Sequence, residues 1–272
     1  MYFTATVDTD IGTAKSVNQD SALIKHAAVM GKEIIMAIVC DGIGGLDKGE
    51  LASAAVVRGF SKWFDEEPPY ELKEFNIHAV ADKWKKILKE LNKEIADYGK
   101  RSGVVLGTTF TGVLFAEDRY LAVNVGDTRL YRLDSSIRQL TTDHTFTARE
   151  VKCGRMSMQQ AEKDKRRSLL LQCIGAAGTV EPEVIFGNIE EGVYLLCSDG
   201  FRNRISKDEI YEALRPGKLI NKRTMHKSCR YLIDKAKSRN ERDNITALLI
   251  KADWQGSKQN SDRDRNRYRR EI

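Results

Sequence analysis

Ile34-Ile35-Met36-Ala37-Ile38-Val39-Cys40 runs without a break into Asp41-Gly42. This is the longest apolar run in the chain. It has the length of a strand and falls far short of the ~20 residues a membrane span needs. An acid and a glycine close it, and the same design recurs. Val193 to Ser198 leads into Asp199-Gly200, Asp243-Asn244 opens Ile245 to Ile250, and Asp20 stands before Ser21 to Ile24. Thr109 to Ala116, Tyr120 to Val125 and Arg129 to Leu133 read as further strands, rich in Val, Leu, Phe and Tyr.

Between the strands lie stretches with the helical period. Leu51, Ala52, Ala55, Val56, Phe60 and Trp63 recur at spacings of three and four, as do Val80, Trp84, Ile87, Leu88, Leu91, Ile95 and Tyr98. Each has one apolar face and is expected to lie on a sheet. Ser157 with Gln160, and Ser206 with Glu209, have the capping-box spacing of helix starts. A last helix is expected over Lys222 to Ser238, with Met225, Cys229, Leu232, Ile233 and Ala236 inward. Strands that arrive in blocks favour antiparallel pairing and an α+β class. No internal linker is visible, so the reading is one domain over 1–252 followed by a polar, basic, disordered tail over 253–272.

Composition narrows the function. The 272 residues are 41% hydrophobic and 31% charged, enough for a sizeable core. The N-terminus lacks the pattern of a signal peptide, so a cytoplasmic protein is expected. Five scattered cysteines and four histidines offer neither a disulfide frame nor a zinc site. The net charge of +6 is diffuse, and no nucleic-acid module is present.

The aspartates at strand ends carry the chemistry. One such acid is commonplace, but neighbouring strand ends lie only ~5 Å apart. Several carboxylates gathered there repel each other unless protonated or neutralised by a cation. All-oxygen ligands select hard ions, Mg²⁺ or Mn²⁺, over zinc.

At this point the chain resembles the metal-dependent type 2C (PPM) serine/threonine protein phosphatases, in particular their compact bacterial branch. The matching motifs run in order: Asp10-Ile11-Gly12, Lys15, Asn18-Gln19-Asp20-Ser21, Asp41-Gly42-Ile43-Gly44-Gly45, Gly107-Thr108-Thr109, Asn124-Val125-Gly126-Asp127-Thr128-Arg129, Leu140-Thr141-Thr142-Asp143-His144, Glu181-Pro182, Cys197-Ser198-Asp199-Gly200 and Asp243-Asn244-Ile245-Thr246. The resemblance implies an α-β-β-α sandwich of two antiparallel sheets flanked by helices, with two ions, Mn²⁺ or Mg²⁺, in a cleft at one edge. It implies that Asp41 bridges the ions, Gly42 offers its carbonyl, and Asp199 and Asp243 ligate the second ion. Asp20 would hold a metal or its water, Asp127 belongs to a possible weaker third site, and Lys15 anchors phosphate. The implied partners are phosphoprotein substrates and a cognate serine/threonine kinase, with no nucleic acid, no membrane insertion and a monomeric protein. The segment from Thr145 to Ser168 resembles a variable flap beside the active site.

Some positions depart from the pattern. Lys15 stands where most relatives have an arginine, and a lysine lacks the two-pronged fork. Ile43 stands where eukaryotic members often have a histidine. Asn203 replaces an aspartate of the third site and removes one charge from it. A catalytically weak or inactive relative, acting as a phosphoprotein- or partner-binding module, would keep this fold. Such a module is expected to have lost its carboxylates, whereas Asp41, Asp199 and Asp243 are all present.

Overall fold

Alternate residues of the Ile34–Cys40 run face two different cores. In the computed structural model Ile34, Met36, Ile38 and Cys40 pack toward helices, while Ile35, Ala37 and Val39 pack toward a second sheet. A strand buried on both faces has no polar alternation to show, which is why the run is apolar throughout. The structure describes residues 1–29, 32–43, 48–67, 76–176 and 178–254. Gly44 and Gly45 of the glycine motif, and the tail from 255 onward, lie outside the described residues.

Among the described residues, ten strands form two five-stranded antiparallel sheets. The first holds β1 (Tyr2–Asp10), β10 (Ile245–Asp253), β9 (Gly192–Cys197), β6 (Arg129–Leu133) and β7 (Ile137–Gln139), in that order. The second holds β2 (Ser21–Val29), β3 (Lys32–Cys40), β4 (Phe110–Ala116), β5 (Arg119–Val125) and β8 (Glu183–Asn188). β10 runs to Asp253, one residue beyond the boundary expected at 252.

Between the sheets lies a layer of Ile35, Ala37, Val39, Val113 and Phe115 against Leu130, Tyr194, Leu196, Leu248 and Ile250. Helices α1 (Gly49–Glu66) and α2 (Ile77–Ser102) cover the outer face of the second sheet. Trp63, Trp84, Phe60 and Phe110 interlock there, with ring centroids 4.7 to 6.2 Å apart. On the outer face of the first sheet lie α5 (Asp199–Arg202), α6 (Lys207–Leu214) and α7 (Lys222–Ser238). α7 has the bounds read from the sequence and buries the five residues expected inward. Leu51 and Tyr98 differ from expectation: both are exposed, because each lies near a helix end at the margin of the apolar face. Cys40, Cys173, Cys197 and Cys229 are buried and form no disulfide, and Cys153 is exposed.

The capping boxes at Ser157 and Ser206 are formed and start α4 (Met158–Lys163) and α6. With α3 (Phe146–Lys152), α4 makes up the flap-like segment. That segment is fastened at its base by Phe146 N–H donating to the Leu169 carbonyl at 2.9 Å.

Candidate active site

The register brings the strand-end acids to one end of the sandwich. Ser21 pairs with Cys40, so Asp20 and Asp41 flank the same end of β2 and β3. Ala247 pairs with Cys197 and Arg129 with the same residue, so Asp243, Asp199 and the turn holding Asp127 meet at the corresponding end of the first sheet. Asp127 itself lies in the Gly126–Thr128 crossing from β5 to β6.

Main-chain bonds hold these positions. Asp41 N–H donates to Thr109 Oγ1 at 2.9 Å, and its carbonyl accepts from Thr109 N–H at 2.9 Å. Thr128 Oγ1 in turn donates to Thr109 Oγ1 at 3.2 Å, joining the Asp41 strand to the Asp127 turn through buried hydroxyls. The Asn244 side chain accepts from Gln19 N–H at 2.9 Å and donates to the carbonyls of Ile11 and Val17. It thereby ties the Asp243 corner to the loop that carries Lys15 and leads to Asp20. Two glycines are required by close approach. A Cβ on Gly42 would stand 2.6 Å from the Gln19 carbonyl oxygen, and one on Gly200 would stand 2.1 Å from that of Asn244.

The electrostatics of the acids match their crowding. Burial first, then the charges of Asp20, Asp199, Asp127 and Asp243, hold the Asp41 carboxyl well above the usual carboxylate range. Burial likewise pushes Asp20 up to about 7, with Asp199 and Asp243 adding to the effect. Neither carboxylate oxygen of Asp20 has a hydrogen-bond partner. The nearby Ser198 and Thr246 hydroxyls offset only part of the desolvation. A buried carboxylate so poorly compensated is costly, and a hard cation is the partner that the chemistry of this set admits.

Asp243 and Asp199 have partners within the chain. Asp243 Oδ1 is 3.0 Å from Lys15 Nζ, and Asp199 Oδ2 accepts from the Asn203 amide at 3.3 Å. Among the described residues, no three His, Cys, Asp or Glu side chains already stand close enough to hold one cation. Lys15 and Asn203 each hold one of the acids in a contact of its own. Mg²⁺-like ions keep several waters and take only one or two carboxylates, so the donor set fits ions held partly through water.

Every sequence-predicted site residue thus lies at this end of the molecule: Lys15, Asp20, Asp41, Gly42, Asp127, Asp199 and Asp243. Sequence reasoning missed two arginines beside them. Arg202 Nη2 donates to Asp127 Oδ2 at 3.0 Å. Arg129 grips Asp143 with two bonds of 2.8 and 2.6 Å and donates to the Tyr131 hydroxyl. Both arginines stand three residues or fewer after a motif aspartate, a spacing that by itself reads as a solvated face.

A model of the family described as protein phosphatase 2C matches residues 12–249. The chain belongs to the protein phosphatase 2C family. The serine/threonine phosphatase stp of Listeria monocytogenes is 33% identical over 220 residues, covering 79% of this chain and 84% of that relative. The solved structure of the Mycobacterium tuberculosis serine/threonine phosphatase PstP superposes with a TM-score of 0.76 at 28% identity, over 92% of this chain and 99% of that one. The PstP catalytic domain solved in complex with two manganese ions gives 0.73 at 28% identity, over 92% and 97%. Membership in the 2C family makes the chain a serine/threonine protein phosphatase, and both expectations, the family and the two-sheet sandwich, hold.

Proposed function

We propose that this phosphatase hydrolyses phosphoserine and phosphothreonine on proteins at the strand-end carboxylates, with two divalent ions, Mn²⁺ or Mg²⁺, as cofactor. The observation that carries the reading is Asp20: a buried carboxylate with no hydrogen-bond partner, in a group of acids whose charges raise one another. Asp41 would serve both ions, the Gly42 carbonyl one of them, Asp199 and Asp243 the other, and Asp20 would hold a metal or its water. When bound, such ions lower the pKa of a shared water and neutralise charge on the phosphoryl group. Lys15, fixed beside Asp243, offers a point charge to a phosphate oxygen. The Asn244 bonds hold the Lys15 loop against the Asp243 corner, and Thr109 orients the main chain of Asp41.

The same reading places the phosphatase domain at 1–252. It takes the protein as cytoplasmic and monomeric, working on phosphoproteins opposite a serine/threonine kinase. In support, no helix among the described residues is long and apolar enough to cross a membrane. The manganese ions of PstP, whose fold this chain shares, support the choice of cofactor.

Hydrolysis of an aryl phosphate and of a phosphothreonine peptide, with Mn²⁺, with Mg²⁺, with Zn²⁺ and after EDTA, tests the proposal. Activity with Mn²⁺ or Mg²⁺ and none in EDTA is expected, and Asp41→Asn is expected to abolish turnover in a folded protein. Full activity in chelator, or restoration by Zn²⁺ alone, would overturn it.

A further inference from the structure

Arg202 has no part in the reading above, although it lies beside the acids. It ends α5, the single helical turn that begins at Asp199. Its Nη2 donates to the Asp127 main-chain oxygen at 2.9 Å and to Asp127 Oδ2 at 3.0 Å. Both side chains are buried, 14% and 11% exposed. The pair joins residues 75 positions apart and fastens α5 to the crossing between the two sheets.

Asp127 is the carboxylate that the family resemblance offers to a third ion, with residue 203 as its companion. Neither position fits an ion here. Residue 203 is an asparagine whose amide is turned toward Asp199, so it supplies no charge. Asp127 already holds a guanidinium, which stays protonated at any pH the protein meets. A divalent ion at Asp127 would have to displace that group or stand against its fixed positive charge in a water-poor setting.

We propose that Arg202 is a built-in cation that takes the place of the third ion, so that this chain binds two divalent ions and no third. Arg202 acts through Asp127 and is a positioning residue. Its charge holds the Asp127 turn in the form that a metal would otherwise have to maintain, independent of the metal concentration. The proposal rests on the two-ion reading of Asp20, Asp41, Asp199 and Asp243.

Equilibrium dialysis of the full chain against Mn²⁺ up to saturation tests it by counting ions per chain. The native protein is expected to bind two. Arg202→Thr and Arg202→Met, each checked for folding by circular dichroism, are expected to gain one ion, and Asp127→Asn added to either is expected to remove it again. Arg202→Lys keeps the charge and is expected to stay at two. A third ion on the native chain that Asp127→Asn removes would overturn the proposal, as would two ions on a folded neutral variant. The native count decides even if both neutral variants fail to fold, two ions supporting the proposal and three overturning it. Fewer than two ions on the native chain would overturn the two-ion reading, and this inference with it.

Discussion

Replacing Asp20 by asparagine removes a charge from a site that resists it. Burial and the neighbouring Asp199 and Asp243 hold this carboxyl at about 7 against an ordinary 3.8. That is some three powers of ten in proton affinity, or about 4 kcal/mol at 1.36 kcal/mol for each. The folded chain keeps a proton that the unfolded chain releases. The stability tied to that proton is therefore fully present below about 3.8 and lost as pH rises through about 7. At pH 8 without metal the native protein carries the whole penalty, and the asparagine variant carries none. In EDTA at pH 8, Asp20→Asn should melt higher, by up to roughly 10 °C for a domain of this size. At pH 5 the gap should fall below about 2 kcal/mol, because the native carboxyl is then largely protonated. Saturating Mn²⁺ should reverse the order, since binding stabilises the native fold and the variant lacks the carboxylate proposed as a ligand. Thermal melts at the two pH values, with EDTA and with Mn²⁺, make the comparison. An asparagine variant that melts no higher than native at pH 8 in EDTA, or a gap that widens toward pH 5, would refute the reasoning.

Lys15→Ala removes the cation 3.0 Å from Asp243. It should raise KM for an aryl phosphate several-fold and lower the Mn²⁺ needed for half-activation, with Lys15→Arg recovering KM. Unchanged KM on both aryl phosphate and phosphothreonine peptide would leave Lys15 as a partner of Asp243 only. Asn203→Asp sets a second carboxylate where an amide now donates to Asp199 at 3.3 Å. It should lower the melting temperature in EDTA yet leave two Mn²⁺ per chain by dialysis, because Arg202 still holds Asp127. Gly200→Ala would place its Cβ 2.1 Å from the Asn244 carbonyl oxygen. A loss of at least about 1–3 kcal/mol in denaturant melts, together with weaker Mn²⁺ binding, is expected. Trp84→Ala opens the aromatic cluster under β4 and should cost about 3–5 kcal/mol by the same melts.

The legible parts of the chain were those where pattern and burial agree. The Ile34–Cys40 run has the length of a strand, and Lys222–Ser238 repeats one apolar face from a capping asparagine onward. β1 was not legible because polarity and burial do not agree along it: Thr6 and Asp8 are buried while Val7 is exposed. Two of its acids find partners only across the fold, Asp8 with His226 and Asp10 with Arg230 and Lys237. β8 is an edge strand interrupted by Gly187, and β7 has three residues, too few for any period to show. In the site, the acids stood out because each closes or opens an apolar run. Arg202 did not, since a basic residue shortly after an acid reads as a solvated helix face until the fold brings Asp127 beside it. The unpartnered state of Asp20 is a property of three dimensions alone.

The centre also straddles a seam. Asp20 and Asp41 hang from the end of one sheet, Asp199 and Asp243 from the end of the other, and the facing layer that joins the sheets is made of side chains. The distance between the two halves is therefore a thickness, set by how Val39, Phe115, Leu196 and Leu248 fill the gap. A methyl group added or removed in that layer would alter the bite of the carboxylates without touching one of them. Ions that draw the halves together would in turn compress the layer, so that ion affinity and interior packing are one mechanical quantity read at two places.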